Sequence, residues 1–189
     1  AAEAGLPVTV YRPPLIAGSS CGSTWHEGDL LLRLLMGALA VGASPDLAWE
    51  LDVVPVDYVA DAVTALAWGE DSHGKTFHLQ HPEPMMLTSL LSQIASAAGE
   101  WRVLPMQDWL AQLQQDPGNP LQPMLPFFQQ GWGSDGLTYP ERNCVGQRAR
   151  PSCVQTTEAL LKHGVRCPSW DQLIGPWSSV LLSLASKTS

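Results

Sequence analysis

Apolar and polar positions alternate from Leu6 to Tyr11, a β-branched run that predicts a strand. Arg12-Pro13-Pro14 closes it, because proline gives no N–H to a ladder. Gly18 to Gly28, with Ser, Cys, Thr and His, reads as a loop, and Asp29 as the N-cap of a helix from Leu30 to about Leu39. That helix is apolar almost all round, so it is expected to be buried on several sides or to lie under another lobe. Gly42 to Asp46 predicts a turn and Leu47 to Val56 a short strand. Asp57 then caps a helix whose buried stripe is Val59, Ala62, Val63, Leu66 and Ala67.

The second half continues the pattern more sparsely. Thr76 to Gln80 predicts a strand with Phe77 and Leu79 on one face, ended by His81-Pro-Glu-Pro84. Thr88 caps a helix over Ser89–Ala98, stopped by Gly99; Arg102–Pro105 is extended; Gln107–Gln115 is helical. From Asp116 to Pro140 the chain is rich in Pro and Gly, yet Met124, Phe127, Phe128 and Trp132 exclude a disordered linker and predict a lid or substrate-facing lobe, with a short helix near Pro126–Gly131. Thr156 or Thr157 caps a helix to His163 with Gly164 as its C′ residue, and Asp171–Ala185 supplies a last amphipathic helix. Strand and helix alternate over residues 1–100, which says α/β; residues 101–189 read as a mainly helical lobe.

Composition narrows the function classes. The chain has 189 residues and is 45% apolar, long enough for a sizeable core, with no run of eighteen apolar residues that would span a membrane. Ala-Ala-Glu-Ala-Gly at the start carries neither the basic nor the apolar region of a signal peptide. A net charge of −8 argues against nucleic-acid binding. Basic residues nevertheless gather at Arg142, Arg148, Arg150, Lys162 and Arg166, with Glu158 the one acid among them, a local excess suited either to an anion or simply to solvent. Cys21, Cys144, Cys153 and Cys167 show no metal-ligand spacing, so no metal site is expected and reduced thiols in a cytoplasm are the default.

Several short motifs in order carry a family resemblance. Tyr11-Arg-Pro-Pro-Leu-Ile-Ala-Gly18, Gly22, His26-Glu-Gly-Asp29, Arg33-Leu-Leu-Met-Gly37 and Val54-Pro-Val-Asp-Tyr-Val59 resemble the later half of the thioester reductase domains of nonribosomal peptide and polyketide synthetases, which are extended short-chain dehydrogenase/reductases. The resemblance is clear over Gly5 to Pro84 and fainter to the C-terminus, where Val154 to Pro168 looks like the family's closing helical segment. It implies the last parallel strands of a Rossmann-like sheet plus an α-rich substrate-binding lobe.

The chemistry that this family needs is only partly here. No Gly-x-Gly-x-x-Gly turn occurs to receive a pyrophosphate. The family's proton relay is a tyrosine four residues before a lysine, but Tyr11, Tyr58 and Tyr139 are followed at that spacing by Leu15, Ala62 and Asn143. No catalytic residue is therefore assigned, and the chain is expected neither to hold NADPH tightly nor to reduce anything by itself. The missing N-terminal Rossmann half of the same domain is expected as its partner, with Ala1 close to the join, whether this chain is an excised piece of a reductase or pairs with a separate N-terminal one. By resemblance, Pro13, Pro14, Leu15 and Ile16 line the nicotinamide pocket of the complete domain. Ser19, Ser20, Thr24 and His26 in the loop, with Trp132, Arg148 and Arg150 further on, are the candidates to contact a substrate carried on phosphopantetheine by an acyl or peptidyl carrier protein. Three readings stay open: the substrate-binding portion of an NADPH-dependent thioester reductase that releases an aldehyde or alcohol, part of an extended reductase acting on a free small molecule, and a non-catalytic carrier-docking module.

Overall fold

The strands of this chain are short, and most of them pair in parallel in the computed structural model, which describes residues 8–96, 100–146 and 149–188. β1 (Val10–Arg12) runs beside β6 (Thr76–His78), β2 (Leu15–Ala17) beside β5 (Val53–Pro55), and β3 (Ala43–Asp46) beside β8 (Arg102–Pro105). β4 (Glu50–Leu51) and β7 (Met85–Met86) pair antiparallel. Parallel partners need a crossover, usually a helix. Here α1 (Leu30–Val41), α2 (Val56–Ala67) and α3 (Leu87–Ala95) lie within the crossovers, giving the expected α/β class. Helices α4 (Met106–Gln115), α5 (Leu125–Gln129), α6 (Tyr139–Arg142), α7 (Val154–Leu161) and α8 (Trp170–Thr188) complete the chain.

Local chemistry explains α1 well. The Asp29 carboxylate accepts the Leu32 amide at its start, and Gly42 ends it at φ 67°, a left-handed conformation that favours glycine. Its all-round apolarity is used: seven of its residues are buried, and α3, α4 and α8 all pack against it. The larger core joins Leu31, Leu34 and Leu35 of α1 to Leu90 and Ile94 of α3, Trp109 of α4 and Trp177 of α8. A smaller one joins Tyr58, Ala62 and Leu66 of α2 to Phe77 of β6, Leu79 and Leu160.

Several boundaries differ from the sequence pattern. β1 starts at Val10 and includes Arg12, while Leu6 and Pro7 lie outside the described residues. The predicted turn at Gly42 to Asp46 is instead β3, because β8 offers it a ladder that no local pattern announces. Thr88 sits inside α3, whose N-cap is Met86, and Ala98 and Gly99 lie outside the described residues. α7 is capped by Cys153 rather than a threonine. On α2, Val59 and Val63 are half-buried and Ala67 is exposed, while Tyr58 joins Ala62 and Leu66 in the buried stripe. No helix among the described residues is long and apolar enough to cross a membrane.

Candidate functional site

The C-terminal ends of parallel strands are where α/β sheets hold ligands. β1 and β6 end side by side, and the Leu79 amide continues their register by donating to the Arg12 carbonyl at 3.1 Å. Beyond that point Pro13 and Pro14 cannot pair, so the chain leaves the sheet and crosses to β2, where the Leu15 amide meets the Asp52 carbonyl at 3.2 Å. The opposite wall comes from the second half of the chain. Trp49 bridges Cys144 antiparallel, the Glu50 amide donates to the Asn143 carbonyl at 3.1 Å, and the Val145 amide to the Ala48 carbonyl at 2.9 Å. This stitching carries Asn143, Cys144 and Val145 to the strand ends.

Two adjoining cavities result. One, about 260 Å³, is lined by Pro13, Pro14, Leu15, Trp49, Asp52 and Tyr139; the other, about 250 Å³, by Gln80, Pro84, Cys144 and Arg150. Glu50, Asp52 and Asn143 line both. Arg150 donates to the Glu50 carboxylate at 3.4 Å and to the His81 carbonyl. His81 is itself buried, donating from Nε2 to the Pro168 carbonyl at 3.0 Å and stacked 4.4 Å from Trp170; burial holds its pKa below the usual imidazole value.

The structure thus brings together Pro13, Pro14, Leu15 and Arg150 of the residues singled out in the sequence. Ile16 stands apart, 37% exposed on β2 and not among the cavity-lining residues. Ser19, Ser20, Thr24 and His26 lie in the separate loop before α1. Trp132 is exposed and stacks on Phe127 at 5.2 Å. Arg148 lies outside the described residues. Of the other basic residues, Arg142 is paired with Asp135. Of the other tryptophans in the second half, Trp109 and Trp177 are fully buried and Trp170 nearly so, as parts of the core.

Known proteins share sequence and fold with this chain. The NAD-binding family described as male sterility protein matches residues 1–63. The isonitrile lipopeptide synthase of Streptomyces coeruleorubidus is 32% identical over 176 residues, 91% of this chain. The crystal structure of the terminal R domain from the myxalamid PKS-NRPS pathway superposes over 98% of this chain with a TM-score of 0.83 and 30% identity. The chain belongs to the thioester reductase domains of the extended short-chain dehydrogenase/reductase family. It spans 12% of that synthase and 47% of that R domain. A thiolation-reductase di-domain of an archaeal nonribosomal peptide synthetase shares the fold at 15% identity and a TM-score of 0.71, with 100% of this chain and 38% of that one covered.

In this reductase-domain chain the loop before α1 is tied down by Asp57. The N-cap position of α2 is Pro55, with no side-chain cap, so the sequence expectation of an Asp57 cap is corrected. Asp57 lies in the helix's first turn, where a carboxylate complements the backbone dipole, and it accepts the Ser20 amide at 3.0 Å, the Ser20 hydroxyl, and the Tyr58 amide at 3.1 Å. Burial alone would raise its pKa, but these donors hold the carboxyl below the usual range. Ser19 is buried, its hydroxyl 3.1 Å from that of Ser23 and accepting the Thr24 amide at 3.2 Å. Both serines are thus engaged within the protein, while Thr24 and His26 are exposed. The exposed Cys21 thiol is lowered to about 7, chiefly by the Ser19 and Ser23 hydroxyls, whereas burial pushes Cys167 up to about 12.

Asp57→Asn should therefore cost about 1–2 kcal/mol, a fall of roughly 3–6 °C in thermal midpoint by circular dichroism, because charge-assisted bonds across 37 residues of sequence are weakened. The native pKa is depressed, so this stabilisation is complete above the unfolded carboxylate value of about 4 and is lost as pH falls through the lower native value. The two midpoints should converge in acid; a gap that persists there would mean the carboxylate is not the source.

Sequence reasoning missed Glu50, Asp52, Gln80, Tyr139 and Asn143. The position of Gln80, just past a parallel strand end, was the available signal; the others meet only through the Trp49–Cys144 bridge.

Proposed function

We propose that this chain forms the substrate-facing part of a thioester reductase domain, which uses NADPH to release an acyl or peptidyl chain from the phosphopantetheine of a carrier protein as an aldehyde, or after a second reduction as an alcohol. The observation that carries this reading is the pair of cavities at the ends of β1 and β6, bounded by Pro13, Pro14 and Leu15 on one side and Arg150 on the other. The likeness to the myxalamid R domain supports it, and the thiolation-reductase di-domain supports a carrier protein as partner.

The residues present fit the ring end of a nicotinamide dinucleotide. Pro13, Pro14, Leu15 and Trp49 give the 260 Å³ cavity an apolar wall suited to a flat ring, and Asn143 and the carboxylates give it polar groups. When bound, the reduced nicotinamide supplies hydride. This chain's residues would orient the ring and the thioester and keep the reacting carbonyl apart from water. The pyrophosphate cradle and the tyrosine–lysine proton relay would come from the N-terminal Rossmann half of the domain, since neither motif occurs in these 189 residues.

Calorimetric titration of the 189-residue chain with carrier protein bearing an S-butyl-phosphopantetheine thioether should show saturable binding, at least about tenfold tighter than with carrier lacking the arm. Equal binding of the two carriers would leave a docking module without a substrate site, and binding of a nucleotide sugar instead would overturn the reading in favour of a free small-molecule reductase.

A further inference from the structure

Gln80, which lines the 250 Å³ cavity, carries a buried polar atom with no hydrogen-bond partner among the described residues. Gln80 is 5% exposed, and its Nε2 donates to Asp52 Oδ2 at 2.8 Å. That bond fixes the amide, because turning it over would set two acceptors against each other. Gln80 Oε1 is buried and has no hydrogen-bond partner among the described residues, although the side chain lines the cavity. Nearly all buried polar atoms are satisfied, and one that is not calls for an explanation.

The surroundings say what kind of group would satisfy it. Arg150 also lines the cavity, but it is directed to Glu50 and to the His81 carbonyl. Glu50 and Asp52 against Arg150 leave one net negative charge, which disfavours an anion and favours a neutral or cationic donor. Arg150, a sequence candidate for contact with the carrier-borne substrate, is thus already engaged within the protein.

We propose that Gln80 is a specificity residue whose Oε1 accepts a hydrogen bond from an amide N–H of the ligand in this cavity. The inference rests on the thioester reductase reading above. An amide N–H is present on the pantetheine arm and also on an aminoacyl or peptidyl chain, but not on a plain hydrocarbon acyl chain. A buried acceptor left without its donor is what gives a polar site its discrimination against analogues lacking the group.

The test uses the 189-residue chain and stable small probes, with binding followed by calorimetry and by the side-chain amide resonance of 15N-labelled Gln80. N-acetylglycine S-ethyl thioester has its amide on the acyl side alone; acetoxyacetic acid S-ethyl thioester replaces that N–H by oxygen; pantetheine S-ethyl ether has amides on the arm alone. If the acyl chain is the source, the first probe binds about tenfold or more tighter than the second and shifts the Gln80 resonance, while the second does not. If the arm is the source, pantetheine S-ethyl ether shifts that resonance and loses about tenfold in affinity to Gln80→Met. The probe pair needs no variant, so a Gln80→Met chain that fails to fold leaves the comparison intact. Binding of all three probes without a response of Gln80 overturns the inference while the reductase reading stands; binding of none overturns both.

Discussion

Trp177→Ala should unfold this chain at a midpoint roughly 10 °C or more below the native one, a larger loss than truncating any half-buried side chain would give. Trp177 is fully buried, its ring edge-on to Trp25 at 5.2 Å and to Trp170 at 6.4 Å, and its Nε1 donates to the Ser19 carbonyl at 3.0 Å. Removing a buried tryptophan side chain costs about 3–5 kcal/mol in transfer and cavity terms, and the Ser19 carbonyl loses one of its two donors, keeping the Gly22 amide at 2.9 Å. For a chain of this size each kcal/mol shifts the midpoint by about 2–4 °C. Trp177→Phe separates the two contributions: it keeps most of the packing, loses the N–H, and should cost about 1–2 kcal/mol. Circular dichroism melting reads both, and a Trp177→Ala midpoint within about 3 °C of native would show that α8 is not the anchor of the loop before α1.

That expectation ties the C-terminal helix to the first fifty residues, and the same dependence explains why the sequence disclosed some parts and hid others. α1 was visible because everything that makes it is local: an apolar run, Asp29 before it and Gly42 after it. α4, α5 and α8 were visible for the same reason. β2 and β3 were not, since three or four residues containing or following proline carry no period; they are strands only because β5 and β8 lie beside them. Asp57 misleads because an Asp next to a strand–helix junction looks like a cap, whereas its partner Ser20 is 37 residues away.

The site divides in the same way. Pro13, Pro14 and Leu15 are legible through a family resemblance, and they line a cavity at the ends of β1 and β6. Glu50, Asp52 and Asn143 have no motif of their own. They line both cavities because residues 48–50 pair with 143–145, a contact across nearly a hundred residues that no local pattern encodes. Arg150 reads in the sequence as one of a local excess of basic residues suited to an anion or to solvent, and the structure engages it with Glu50 and the His81 carbonyl.

Gly18→Ala should be nearly as damaging as losing Trp177, although it adds one carbon. A Cβ built on Gly18 would stand 2.5 Å from the Thr24 carbonyl oxygen and 2.6 Å from two carbons of the Trp25 indole. Neither neighbour can give way cheaply. Thr24 is held by the bond from the Ser19 amide to its own carbonyl at 2.9 Å, and Trp25 is held against Trp177. Overpacking of this kind costs about 1–3 kcal/mol or more, so a fall of roughly 6–10 °C is expected. The damage should also be local: limited proteolysis should cut between Gly18 and Gly28 faster than in the native chain, because the Gly18 carbonyl accepts the Val56 amide at 3.4 Å and anchors the loop to the start of α2. Gly175→Ala is the matched control. It adds the same carbon within α8, where a Cβ would meet nothing within 4 Å beyond its chain neighbours, and the crowding against Pro176 offsets relief of glycine's helix penalty, so the midpoint should stay within about 2–3 °C of native. Equal midpoints for Gly18→Ala and Gly175→Ala would mean that the loop can shift to admit a methyl group, and the close approach of Gly18 to Trp25 would then not be what holds it in place.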